Sequence, residues 1–154
     1  MKIAEWAVAA APAKLVAIGL GSCVAIVLHD ARARVGGLAH VLLPVPPGPQ
    51  ATDHTGRFPG TAVPRLLEEM RAHGANGTIT ARLVGGASLF STLLGVEGGG
   101  VGARNIDAAR AALAAAQLRV VGEAVGGRVG RSVTLDVETG RCEVRSLGEG
   151  TRVL

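Results

Sequence analysis

The stretch LVAIGLGSCVAIVLHDARARVGGLAHVLL, residues 15–43, decides the fold. Leu15–Leu20 and Val24–Leu28 are short apolar runs rich in Val and Ile, interrupted by Gly21-Ser22-Cys23. Val35–Leu43 follows the polar turn Asp30–Arg34. Short apolar runs bounded by turn signals read as buried strands. Upstream, Ile3–Val8 reads as a weaker strand. Downstream, Pro44–Gly60 is a Pro/Gly-rich loop of about seventeen residues, a length that in a compact domain usually serves function. Thr61–His73 then carries Ala62, Val63, Leu66, Leu67 and Met70 on one helical stripe, with Gly74 as its stop. Ile79–Val84 returns to strand and closes on Gly85-Gly86. A second glycine-rich loop covers Gly95–Gly102. A second helix is expected from Asn105 as N-cap, with Asp107 in its first turn and a stripe of Ile106, Ala109, Leu113 and Ala116. Arg119–Val125 is a strand, and Ser132–Val137 and Cys142–Ser146 flank the hairpin turn Glu138–Arg141. The expectation is an α/β (α+β) fold, one domain over residues 1–154, with a mixed sheet layered against two main helices.

Composition agrees with a packed domain. The 154 residues are 48% hydrophobic but hold one Trp, two Phe and no Tyr, so the core must be aliphatic. There are 23 glycines, with pairs opening at Gly36, Gly85, Gly98 and Gly126. The net charge of +4 rests almost wholly on scattered Arg, without a basic run or aromatic surface, which argues against nucleic-acid binding. Leu15–Leu28 is too short to span a bilayer. Leu20-Gly21-Ser22-Cys23 has the look of a lipoprotein cleavage site, but only six residues separate Lys14 from Gly21 and the apolar run continues past Cys23. Two cysteines outside any CxxC pair indicate a reducing, cytoplasmic setting.

Cys23 and Cys142 differ in context. Cys142 alternates with Glu143 and Arg145 on the apolar face of a hairpin and reads as core. Cys23 follows Gly21-Ser22 at a turn, where nearby N–H groups can share its site as an oxyanion hole. Its thiol needs a base. His40 is the best candidate. Counting from a turn centred on Arg32, Cys23 lies nine residues before and His40 eight after, nearly opposite in an antiparallel pair. By pattern alone, a core cysteine and a core histidine remain open beside this dyad. His29 sits at a strand end, His54 in the long loop and His73 at a helix C-terminus. No close-spaced ligand pair supports a metal site, and no phosphate-binding or G-x-S-x-G motif is present.

The segments Leu20–Ala25, Gly36–His40 with Leu43-Pro44, Ala81–Ala87, Val101–Asn105 and Gly126–Arg131, in this order, resemble the CheD family of chemoreceptor glutamine deamidases. The resemblance implies an α/β sandwich similar to cysteine-dependent toxin deamidases. It implies a cytoplasmic enzyme, without metal or organic cofactor, that hydrolyses glutamine side-chain amides of methyl-accepting chemoreceptors to glutamate and releases ammonia through a Cys thioester. In family terms Cys23 is the nucleophile and His40 its base, with Gly21 and Ser22 supporting the oxyanion, and CheC is a partner that restrains the reaction. Three departures stand out. Ala17 occupies the position of the usual triad Thr, Ala124 that of a usual acidic residue, and Val84 that of a usual Phe. Ala17 opens an alternative, a weakly active or inactive module that binds CheC or receptors. A further reading keeps the enzyme class but takes a soluble protein as target, against which the lack of a secretion signal counts.

Overall fold

The computed structural model describes residues 1–46, 56–88 and 100–154. His54, most of the Pro44–Gly60 loop and the Gly98 pair lie outside them. Within them the order is β1 (Trp6–Ala10), β2 (Lys14–Leu20), β3 (Val24–Asp30), β4 (Val35–Val41), α1 (Pro59–Ala72), β5 (Ile79–Gly85), α2 (Val101–Ala115), β6 (Arg119–Val125), β7 (Arg131–Asp136), β8 (Cys142–Ser146) and β9 (Gly150–Val153).

The strands form two sheets. The first is mixed, in the order β1-β4-β3-β5-β6, and the second runs β2-β7-β8-β9. In the mixed sheet only β5 and β6 are parallel. A parallel pair needs a crossover, and α2 lies on that connection. Both helices pack on the mixed sheet, α1 against β4 and β1, α2 against β3, β5 and β6. The expected α+β layering is borne out. The second sheet adds a layer that the sequence reading did not resolve.

β3 and β4 are the centre of the molecule, and every residue of both is buried. Alternation divides their side chains between two cores. Val24, Ile26 and Leu28 face the helices with Ala62, Leu66, Met70 and Leu113. Ala25, Val27 and Leu38 face the second sheet with Ala17, Leu20, Val133, Leu135, Cys142 and Val144. The two layers approach so closely at Gly36 and Gly37 that a Cβ on Gly36 would meet Leu135, and one on Gly37 would meet Met70.

α1 buries the expected stripe of Ala62, Val63, Leu66, Leu67 and Met70. α2 begins five residues earlier than expected. Its N-cap is Gly100, and Asn105 lies inside the helix, buried, capping nothing. Ala116 is the C-cap residue rather than part of the stripe. The hairpin expected around Glu138–Arg141 forms, with Leu135 opposite Cys142. Asp30 organises the β3–β4 turn. Its carboxylate accepts the N–H groups of Arg32, Ala33, Asn76 and Gly77 at 2.7–3.0 Å. Burial raises its pKa, but these four donors outweigh that and hold it below the ordinary carboxylate value.

Candidate active site

Cys23 occupies the residue ahead of β3, and β2 ends at Leu20, so Gly21-Ser22-Cys23 is the corner where the chain passes from one sheet to the other. Three successive carbonyls of this corner are engaged. Gly21 O accepts from Ala87 N–H at 2.7 Å, Ser22 O from Asn105 Nδ2 at 2.9 Å, and Cys23 O from Gly86 N–H at 2.7 Å. Gly85 has φ +112°, and a Cβ there would collide with the Cys23 carbonyl. In a trans peptide the N–H points opposite to its C=O. Pinning the Gly21 and Ser22 carbonyls therefore turns the Ser22 and Cys23 N–H groups the other way. Among the described residues neither of these N–H groups donates to another residue.

The β3–β4 register places Ala25 opposite His40 and Val24 opposite Val41. Cys23 and His40 are thus on the same face, one diagonal step apart rather than directly opposite. A turn centred on Arg32 would set Cys23 opposite Val41; the observed centre lies between Arg32 and Ala33, so the register is one residue further on. That single residue decides the face: paired with Val41, Cys23 would point away from the side on which His40 lies. Cys23 is 6% exposed and His40 1%. Neither ring nitrogen of His40 has a hydrogen-bond partner among the described residues. An unpartnered buried polar group costs about 1–3 kcal/mol, which marks the ring as unusual for a structural histidine.

Burial pushes the Cys23 thiol up, and its own backbone N–H partly offsets this. Burial pushes the His40 imidazolium down. The Met1 carbonyl, near the ring but outside hydrogen-bond geometry, counters this, the nearby N-terminal ammonium adds to it, and Glu5 opposes it. Both shifts favour the neutral thiol and neutral imidazole, the resting pair from which the imidazole can accept the thiol proton. His40 opens into a depression of about 780 Å³ walled by Met1, Lys2, Ile3, Glu5, Ile18 and Gly19, and Cys23 is not part of its wall. Ile18 is 65% exposed and Ile3 53%, giving this mouth an apolar rim.

Ala17 is fully buried in β2 and lies in the inter-sheet core with Cys23. Its chain neighbours Ile18 and Gly19 share the depression with His40. Ala124 is also buried in that core. The other histidines are placed elsewhere. His29 is buried within β3, its Nε2 2.9 Å from the Val137 carbonyl oxygen, and His73 Nδ1 lies 2.8 Å from the Glu69 carbonyl oxygen. Among the described residues no three His, Cys, Asp or Glu side chains gather to hold a metal ion, and no helix is long and apolar enough to cross a membrane. Sequence reasoning missed the part played by Asn105, taking a buried helix residue for a cap.

A family model described as CheD chemotactic sensory transduction matches residues 42–146. This stretch begins after His40. Similarity to individual proteins extends across the whole chain. It is 40% identical over 152 residues to the chemoreceptor glutamine deamidase CheD of Thermotoga maritima, covering 98% of this chain and 93% of that protein. It is 42% identical over 154 residues to the probable chemoreceptor glutamine deamidase CheD 2 of Geobacter metallireducens, covering 99% and 95%. Identity to a probable chemoreceptor glutamine deamidase CheD of Desulforamulus reducens is 35% over 153 residues.

Proposed function

The chain belongs to the CheD family, and from that premise we propose that residues 1–154 act as one cytoplasmic deamidase domain that converts chemoreceptor glutamines to glutamate, with Cys23 as nucleophile and His40 as base. The observation that carries this reading is the pairing of a thiol at a tightly held corner with an imidazole on the same face of the next strand, both of its nitrogens unengaged.

His40 takes the Cys23 proton as the sulfur attacks the amide carbon of glutamine, and returns it to the departing ammonia. Water, deprotonated by His40, then attacks the thioester, giving glutamate and restoring the thiol. Acid–base assistance of this kind is worth about 10²–10⁴-fold. The N–H groups of Ser22 and Cys23 supply the oxyanion donors, each worth about 3 kcal/mol. The apolar rim of Ile3 and Ile18 suits an amphipathic receptor helix, and the net charge of +4 favours association with a glutamate-rich surface. CheC, docking over the same mouth, would compete with receptor.

A binding-only reading draws on Ala17, which offers His40 no hydroxyl. It requires an inert Cys23. Mass spectrometry of a receptor cytoplasmic fragment, incubated with the parent protein and with Cys23→Ala, separates the two. Conversion of specific glutamines to glutamate by the parent alone supports the enzyme, and no conversion by either overturns it.

A further inference from the structure

One buried side chain touches the Cys23 corner without a part in the chemistry above. Asn105 is fully buried in the second turn of α2. Its Nδ2 donates both protons, to Ser22 O and to Leu42 O, each at 2.9 Å. Its Oδ1 is buried with no hydrogen-bond partner among the described residues. Asn is a poor helix former relative to Ala and caps nothing here, so neither helix propensity nor capping explains it.

The three pinned carbonyls differ in what holds them. Those of Gly21 and Cys23 are held by backbone N–H groups of Ala87 and Gly86. The one between them, Ser22, is held by a side chain. Its peptide carries the Cys23 N–H on the opposite edge. The bond to Leu42 orients the amide from the other side, at the end of β4 just past the last paired residues, Val24 and Val41. α2 is seated firmly for this purpose, since Gly102 packs so closely on the Gly86 carbonyl that a Cβ would collide with it.

We propose that Asn105 is a positioning residue of the deamidase site: it holds the Ser22–Cys23 peptide so that the Cys23 N–H faces the reacting carbonyl as an oxyanion donor. This rests on the deamidase reading of Cys23 and His40. Without the side chain, the Ser22 carbonyl has no fixed acceptor role and the peptide is free to rotate.

The test compares parent, Asn105→Ala, the near-isosteric Asn105→Asp and Leu113→Ala, a core truncation in the same helix. Deamidation of a receptor fragment is followed by mass spectrometry, and Cys23 alkylation by iodoacetamide is read at its own peptide. Alkylation forms no oxyanion. Both Asn105 variants should lower kcat about 10- to 100-fold, with KM within about twofold and Cys23 alkylation within about threefold. Leu113→Ala, where folded, should keep kcat within about twofold. A kcat loss no larger than that of Leu113→Ala overturns the proposal. So does a parallel fall of kcat and alkylation, which would mean general collapse of the site. If Asn105→Ala does not fold, Asn105→Asp decides alone. Failure of both to fold beside a folded Leu113→Ala assigns Asn105 to the fold and also overturns it. A parent without deamidation, or a Cys23→Ser variant that retains it, removes the deamidase reading itself, and the role of Asn105 with it, whatever the Asn105 variants do.

Discussion

Cys23 and Cys142 line the same inter-sheet core, both buried and both free thiols. Burial raises both, Cys142 to about 11. Their surroundings separate them. Cys142 sits within β8, opposite Leu135 in a regular ladder, and its carbonyl accepts the Leu154 N–H at 2.9 Å. Cys23 sits where the chain leaves one sheet for the other. A ladder consumes successive N–H groups, whereas the corner at Cys23 turns two of them away from every described partner. His40 lies on the same face one diagonal step away. Burial therefore sets the resting protonation of a thiol, and the break in the ladder beside a base gives it something to do.

The largest effect expected from this contrast is on deamidation. Cys23→Ala should lower the rate by about 10⁴-fold or more. Cys142→Ala should leave it within about twofold and cost about 1 kcal/mol of stability from the small cavity it makes. Receptor mass spectrometry and thermal denaturation of the two variants check both halves. A folded, inactive Cys142→Ala protein would break the comparison.

His40→Ala should fall next, by about 10²–10⁴-fold in kcat. Steady-state rates against a receptor fragment measure this, and an unchanged rate would leave Cys23 without its base.

Alkylation sharpens the contrast without any substrate. Iodoacetamide should label Cys23 about tenfold or more faster than Cys142 in the folded protein, the gap closing on unfolding. The pH dependence has a definite sign. Burial raises the Cys23 thiol and depresses His40, so the thiolate and the imidazolium are both disfavoured. The Cys23 labelling rate should climb with pH beyond the ordinary thiol value of about 8.5. A plateau below about pH 8 would instead reveal a thiolate–imidazolium pair.

The smallest effect is a gain. Ala17→Thr places a hydroxyl in the inter-sheet core next to the segment that shares the His40 depression, in a strand where Thr is well tolerated. Better orientation of the ring should raise kcat about two- to tenfold. A folded variant no faster than the parent would mean that His40 already has its orientation from packing.

Much of this molecule can be read along the chain. The runs at Leu15, Val24 and Val35 fall on β2, β3 and β4, and the stripe Ala62 to Met70 is the buried face of α1. β9 was not legible, because Gly150–Val153 is exposed throughout and is held by pairing with β8 rather than by any apolar pattern. Asn105 was misread because a residue that favours caps in local energetics was instead spent on a contact made from within the helix.

What the sequence determined by itself is that Cys23 and His40 lie at the same end of one hairpin. Side chains alternate with a period of two and the count about Arg32 errs by one residue, so the face the two residues share was set by the folded register. What only the tertiary structure decided is the division into two sheets at the Cys23 corner, and the clamp on that corner by Gly86, Ala87 and Asn105. Two of those three bonds join backbone groups more than sixty positions apart in the chain. Every residue but proline has the same N–H and C=O to offer, so their pairing leaves no mark in residue identity and arises only when packing brings the segments together.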